Sequence, residues 1–99
     1  MHTLVSDWYI VDIIDNDTSI GKVLWCICVE DLSLRFAPGQ YICTSKIESI
    51  SPSNKTVTTF SKSLYKLAGH GNKADIQVEH FDLLRNGYNP KEIKEMLST

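Results

Sequence analysis

The chain has 99 residues, a net charge of −2 at neutral pH, 42% apolar residues, two Trp, four Tyr and three Phe. That is the length of one domain with enough apolar material for a single core, which excludes a disordered chain, and no stretch approaches the ~20 apolar residues that span a bilayer. The start, MHTLVSDWYIVDIIDND, lacks the basic residues of a secretory signal and carries three Asp from position 12, and an odd number of cysteines, three, suits a reducing cytoplasm.

Trp8 to Ile14 reads as the first strand. Asp15-Asn16-Asp17-Thr18-Ser19 is a polar turn, with Gly21 expected to let the chain reverse into a second strand, Lys22 to Val29. KVLWCICV is apolar on both parities, the pattern of a strand covered on both faces. Glu30 to Arg35 is a connection with room for one helical turn. Pro38-Gly39 then marks a turn before Gln40 to Ile50, where Tyr41, Cys43 and Ile47 share one parity and Ile42 and Ile50 the other. A bulge near Thr44-Ser45 would bring more of them to one face. Ser51-Pro52-Ser53-Asn54 closes a hairpin into Lys55 to Phe60, and Ser61-Lys62 turns the chain into Ser63 to Ala68. These last three strands form an antiparallel meander.

Lys73 to Val78 alternates like a short strand but borders a helical tail, and is left open between the two. Glu79 to Asn86 reads as a helix with Phe81 and Leu84 on one face and Leu83 beside them, ended by Asn86-Gly87. Asn89-Pro90-Lys91-Glu92 is a helix start: Asn as N-cap, Pro at the first position, Glu at the third to complete a capping box. Ile93, Met96 and Leu97 make its apolar stripe, and Tyr88 is expected to pack at the corner. The expected fold is a single α+β domain over 1–99: a small curved antiparallel sheet of about five strands, half-barrel-like, over 1–70, followed by a C-terminal helical hairpin over 73–99 packed on it.

No catalytic constellation is legible. His2 is near the terminus, His70 lies between two glycines and His80 falls in the tail. No G-x-S-x-G, phosphate-binding loop, H-E-x-x-H or Cys–His spacing occurs, and the protein is expected not to be an enzyme. Cys26 and Cys28, two apart on one strand, share a face and do not bridge each other. With Cys43 and a histidine they match no zinc-ligand spacing, so they read as buried thiols, with no metal and no cofactor expected.

The charges are segregated along the chain. Residues 1–31 carry −5, residues 32–73 carry +5 and residues 74–99 carry −2. Such asymmetry can steer a charged partner. The tail's helix-turn-helix lacks a basic stripe, because Lys91 and Lys94 alternate with Glu92 and Glu95, which argues against a DNA reader.

The order F-x-P-G-Q-Y-I-C-T-S-x-I, a Thr-rich strand and L-Y-x-L-x-G, from Phe36 to Gly69, resembles small bacterial immunity proteins, the partners of contact-dependent growth inhibition toxins. A similar order occurs in small phage-associated and bacterial proteins. The resemblance covers about a third of the chain. It implies a cytoplasmic, non-enzymatic immunity protein that binds a cognate toxin domain, commonly a nuclease, as a 1:1 heterodimer and blocks its basic substrate-binding surface or its active site. The acids expected to meet such a surface are Asp12, Asp15, Asp17, Glu30 and Asp31, since an acidic patch speeds association with a cationic toxin. Two alternatives stand beside it. One is a nucleic-acid or regulatory adaptor using Lys46, Lys55, Lys62 and Lys66 beside Tyr41, Phe60 and Tyr65. The other is a phage-encoded protein inhibitor of a host defence enzyme.

Overall fold

The structure, a computed structural model, describes residues 2–98. It is an α+β fold of six strands and two short helices: β1 (Thr3–Asp15), β2 (Thr18–Asp31), β3 (Tyr41–Ser51), β4 (Thr56–Thr59), β5 (Leu64–Leu67), β6 (Asn72–Gln77), a 3-10 turn at Val78–His80, α1 (Phe81–Arg85) and α2 (Pro90–Leu97). Of the stretch left open by its sequence, 73–78, all but Val78 belongs to the sixth strand, so the helical segment begins at Val78 rather than at 73.

β1 and β2 form a long antiparallel ribbon whose pairing runs from Thr3↔Asp31 to Asp15↔Thr18. The reversal is made by Asn16 and Asp17, both with positive φ, of 50° and 64°. Gly21 lies inside β2 instead, next to a register shift between Ile13 and Ile14. A two-residue loop with φ > 0 at both positions favours Asn-Gly, so Asp17→Gly is expected to stabilise the fold by about 0.5 kcal/mol in chemical denaturation.

The remaining strands curl round this ribbon. β3 pairs β2, β4 pairs β3 and β5 pairs β4, all antiparallel. β5 then returns to lie parallel to β1 over three residues, Thr3 to Val5. Beyond that point β1 takes β6 as its parallel neighbour, from Tyr9 to Ile14. The pairings therefore go round a ring at one end only, where β5 reaches β1. At the other end β3, β4 and β5 splay away from the β1–β2–β6 leaf, which leaves the sheet partly ring-like and short of a barrel.

Two apolar clusters follow, one on each face of the ribbon. Inside the ring, Val5, Ile10, Leu24, Cys26, Cys28, Ile42, Val57, Tyr65 and Leu67 pack together. On the other face Val11, Ile13, Val23, Trp25 and Ile76 meet Leu84 and Ile93 of the helices. This is why β2 is apolar on both parities. Val5 and Ile10 have opposite parity yet share the ring interior, because an extra β1 residue is inserted between Ser6 and Tyr9 and Asp7 takes φ 50°. A second bulge lies at Thr44-Ser45, where three steps of β3 face two of β2. It brings Ile42 and Ile47 to the same cluster, while the Thr44 hydroxyl accepts the Leu24 amide at 3.0 Å.

The helices cover the outer face. The Asn89 side chain accepts the Glu92 amide at 2.8 Å and Glu92 accepts the Asn89 amide at 3.0 Å, a complete capping box. Gly87 (φ 107°) ends the link from α1, and a Cβ there would meet the Tyr41 ring at 2.9 Å. Of the expected stripe on α2, Ile93 is buried, while Met96 and Leu97 are half exposed, as is Tyr88 at the corner.

Candidate functional site

The five acids expected to form one patch are divided by the ribbon's geometry. Asp12, Asp15 and Asp17 lie toward the hairpin tip; Glu30 and Asp31 lie at its base, opposite Leu4 and Thr3. With a strand rise of about 3.3 Å per residue, the two groups stand on the order of 35 Å apart. Asp15, Asp17 and Glu30 are exposed, Asp12 is half-buried and accepts the Ser19 hydroxyl, and Asp31 is only 7% exposed.

Asp31 is an internal anchor rather than a surface charge. One carboxylate oxygen accepts Thr3 Oγ1 at 2.9 Å, the Ser33 amide at 2.9 Å and Ser33 Oγ at 2.5 Å. The other accepts the amides of Arg35 at 2.7 Å and Phe36 at 2.8 Å. Burial raises the Asp31 carboxyl, but the bonds from Ser33, Thr3 and the Phe36 amide outweigh it and hold the group well below the usual carboxylate range. The connection expected over Glu30–Arg35 has no helical turn and is an irregular loop over 32–36 folded round this one side chain.

That loop is stiffened a second time by Arg35. Its Nε donates to Ser33 Oγ and its Nη1 to Ser63 Oγ, both at 2.9 Å, and its guanidinium lies 5.0 Å from the Phe36 ring centroid. Between these two anchors Leu34 is held in the left-handed region (φ 61°) and is 90% exposed. Leu32 and Val29 are exposed as well, with Glu30 between them in sequence. A bulky residue at positive φ is an outlier costing on the order of 1–2 kcal/mol. Here no buried contact offsets that cost, because the side chain stands in solvent.

The residues of the adaptor reading do not share a surface. Tyr65 is buried inside the ring, and Tyr41 stacks on Trp25 on the opposite face, with centroids 6.4 Å apart. Lys62 pairs with Glu48 at 2.7 Å, and Lys46 sits 5.6 Å from the centroid of the exposed Phe60 ring.

Two further features bear on chemistry. Burial pushes the Cys43 thiol up to about 11, and Cys26 and Cys28 are raised by the same cause, so all three stay protonated at neutral pH. Among the described residues no group of three or more His, Cys, Asp or Glu could hold a metal ion, and no helix is long and apolar enough to cross a membrane. Near the Asp7 bulge a recess of about 320 Å³ gathers Asp7, Trp25, His70, Asn72 and Asn89. Asp7 accepts from the Ser6 hydroxyl at 3.4 Å rather than from His70, and the Asn89 carboxamide is committed to the helix cap. The buried Trp25 Nε1 has no hydrogen-bond partner.

The feature that sequence reasoning missed is the Leu34 loop. Glu30 and Asp31 stand out in the sequence by charge, while the unusual geometry of this segment belongs to Leu34, three residues beyond Asp31. The one local sign in the sequence was Ser33 two residues after Asp31, a spacing that allows an Asx-type turn. No protein-family model, no curated protein and no solved structure matches this chain.

Proposed function

We propose that this protein works by binding another protein, as an immunity or inhibitor protein does, with the Asp31-anchored loop as its docking element. The observation that carries the reading is Leu34, a large apolar side chain fixed in strained backbone and pointed at water. Strain of this kind persists where surrounding structure over-determines it, and strained residues cluster at functional sites such as ligand clamps and switch regions. A side chain presented rigidly loses little conformational entropy when a partner's pocket closes over it. Val29 and Leu32 widen the apolar contact, and Glu30 adds the charge that a cationic nuclease toxin would meet. The resemblance of Phe36–Gly69 to immunity proteins supplies the toxin domain as the partner, in a 1:1 complex, and the exposed Asp15 and Asp17 at the far tip act only in steering.

Leu34→Asp tests this. The substitution removes the apolar anchor, and aspartate tolerates positive φ better than leucine, so the fold survives. Affinity capture from the native lysate should recover one protein in near-equal amount with the wild-type chain, unaffected by RNase. The aspartate variant should recover it at least about tenfold less well, and should fail to protect cells expressing that partner. Recovery that disappears with RNase would instead favour the nucleic-acid adaptor. Equal recovery by the variant would remove the loop from the interface.

A further inference from the structure

We propose that the open end of the ring binds a small amphipathic anion, with its apolar chain against Trp8, Ile10 and Leu67 and its carboxylate among Lys22, Lys55 and Lys73. The site is distinct from the Leu34 loop, which lies by the opposite, closed end. It arises because β3 leaves β2 after Lys46 and β5 leaves β1 after Val5, while β1, β2 and β6 continue past both. The continuing leaf then faces the β3–β4 hairpin across a gap that no side chain of the core fills. The resulting cavity is about 540 Å³, within the range of small-molecule pockets.

Its chemistry is split in depth. The floor is the exposed end of the inner cluster, formed by Ile10 and Leu67 with Trp8 packed against them. Ile50, half exposed, and Pro52 make the facing wall. The rim is ionic. Lys73 lies beside Ile10 in the β1–β6 register, and one step further out Lys22, Asp12 and Asp75 form a row across β2, β1 and β6. Lys55 comes from the opposite side, with Nζ 3.4 Å from the Gly69 carbonyl.

The sign of the ligand follows from the rim. Three lysines face two aspartates there, and Asp12 already accepts the Ser19 hydroxyl. Among the described residues the one ion pair is Lys62–Glu48, so none of the three ammonium groups is neutralised by a carboxylate at contact distance. An apolar floor excludes a wholly polar ligand, since burying its groups unpaired is costly, and the lysines favour a carboxylate over an ammonium. A linear or compact hydrophobe with one terminal carboxylate satisfies both parts. Free fatty carboxylates and other acyl carboxylates share that chemistry.

Decanoate, kept below its micellar concentration, is the probe, with decylammonium as the charge-reversed control and inorganic phosphate as the headgroup-only control. Titrated into the full chain and followed by amide, indole and methyl resonances, decanoate should give saturable shifts confined to Trp8, Ile10, Ile50, Leu67 and their neighbours. It should bind about tenfold more tightly than decylammonium, and phosphate should not shift the floor residues. The Lys22→Met, Lys73→Met double variant should remove most of that charge preference, leaving the shift pattern in place. Ile50→Asp, at a wall position already half in solvent, should abolish decanoate binding while the spectrum stays folded. Unsaturable or scattered shifts, equal binding of decylammonium, or an unchanged charge preference in the double variant would overturn the proposal.

Discussion

Asp31→Ala should lower the unfolding free energy by about 3 kcal/mol and the melting temperature by about 15 °C. The alanine leaves the amides of Ser33, Arg35 and Phe36 and the Thr3 hydroxyl without the acceptor that holds them, in a place that is largely closed to water. Unpaired buried donors, rather than the lost bonds themselves, dominate that cost. The effect is also pH-dependent. A carboxyl held below its unfolded value contributes stability that is fully present above the unfolded pKa, about 3.9, and is lost as pH falls toward the folded value. Asp31→Asn keeps the shape but not the charge, so the stability gap between wild type and this variant should be widest at neutral pH and should shrink below about pH 4. Urea denaturation of both chains across that range measures it; a gap independent of pH would mean that the carboxylate's charge is not what anchors the loop. Because the same loop carries Leu34, the docking proposed for it predicts that the asparagine variant also lowers partner recovery while Leu34 itself is unchanged.

Gly71→Ala is the second substitution of large effect, with an expected cost of about 3 kcal/mol. An added Cβ would lie 2.1 to 2.3 Å from atoms of the Trp8 ring, inside any permissible contact. The indole has nowhere to move freely, since its Nε1 donates to the Ala68 carbonyl at 3.2 Å and its body packs on the inner cluster. The clash can be isolated in a double-mutant cycle with Trp8→Ala. If the ring is the obstacle, Gly71→Ala costs little once Trp8 is gone; a similar cost in both backgrounds would assign the effect to the backbone. The single variant should also disturb decanoate binding at the cavity proposed for it, whose floor includes Trp8.

The meander, the Thr44-Ser45 irregularity and the Asn89-Pro90-Glu92 helix start were all legible because each depends on neighbours in sequence. Turn residues, β-branched runs and capping pairs act over a few positions, and no distant contact reverses them. The parity of β1 was not legible in the same way. The expected first strand begins at Trp8 and leaves out Thr3–Asp7, and Val5 and Ile10, five positions apart, share the ring interior only through the insertion at Asp7. The role of Asp31 was hidden for a related reason. A carboxylate next to Glu30 reads as surface charge until the chain folds three amide and two hydroxyl donors onto it. The ring mouth was invisible altogether, since it is made by where strands part, and Trp8, Ile50, Leu67 and Lys73 come from four separate segments.

One topological detail governs how the chain can be made. β1 is the first strand in sequence, yet two of its three neighbours, β5 and β6, lie about sixty positions downstream. During synthesis the β1–β2 ribbon can pair with itself early, but both of its faces stay uncovered until β5, β6 and the helices have left the ribosome. At ~5–20 residues per second that exposure lasts several seconds. The nascent chain is therefore a two-sided apolar hairpin with open edges before it is a protein, and it is a natural client for a chaperone in that interval. A circular permutant that starts at Asn72 and ends with β5 would make β6 and both helices before β1 and shorten the β6–β1 separation to about half, and should fold faster with less aggregation than the parent.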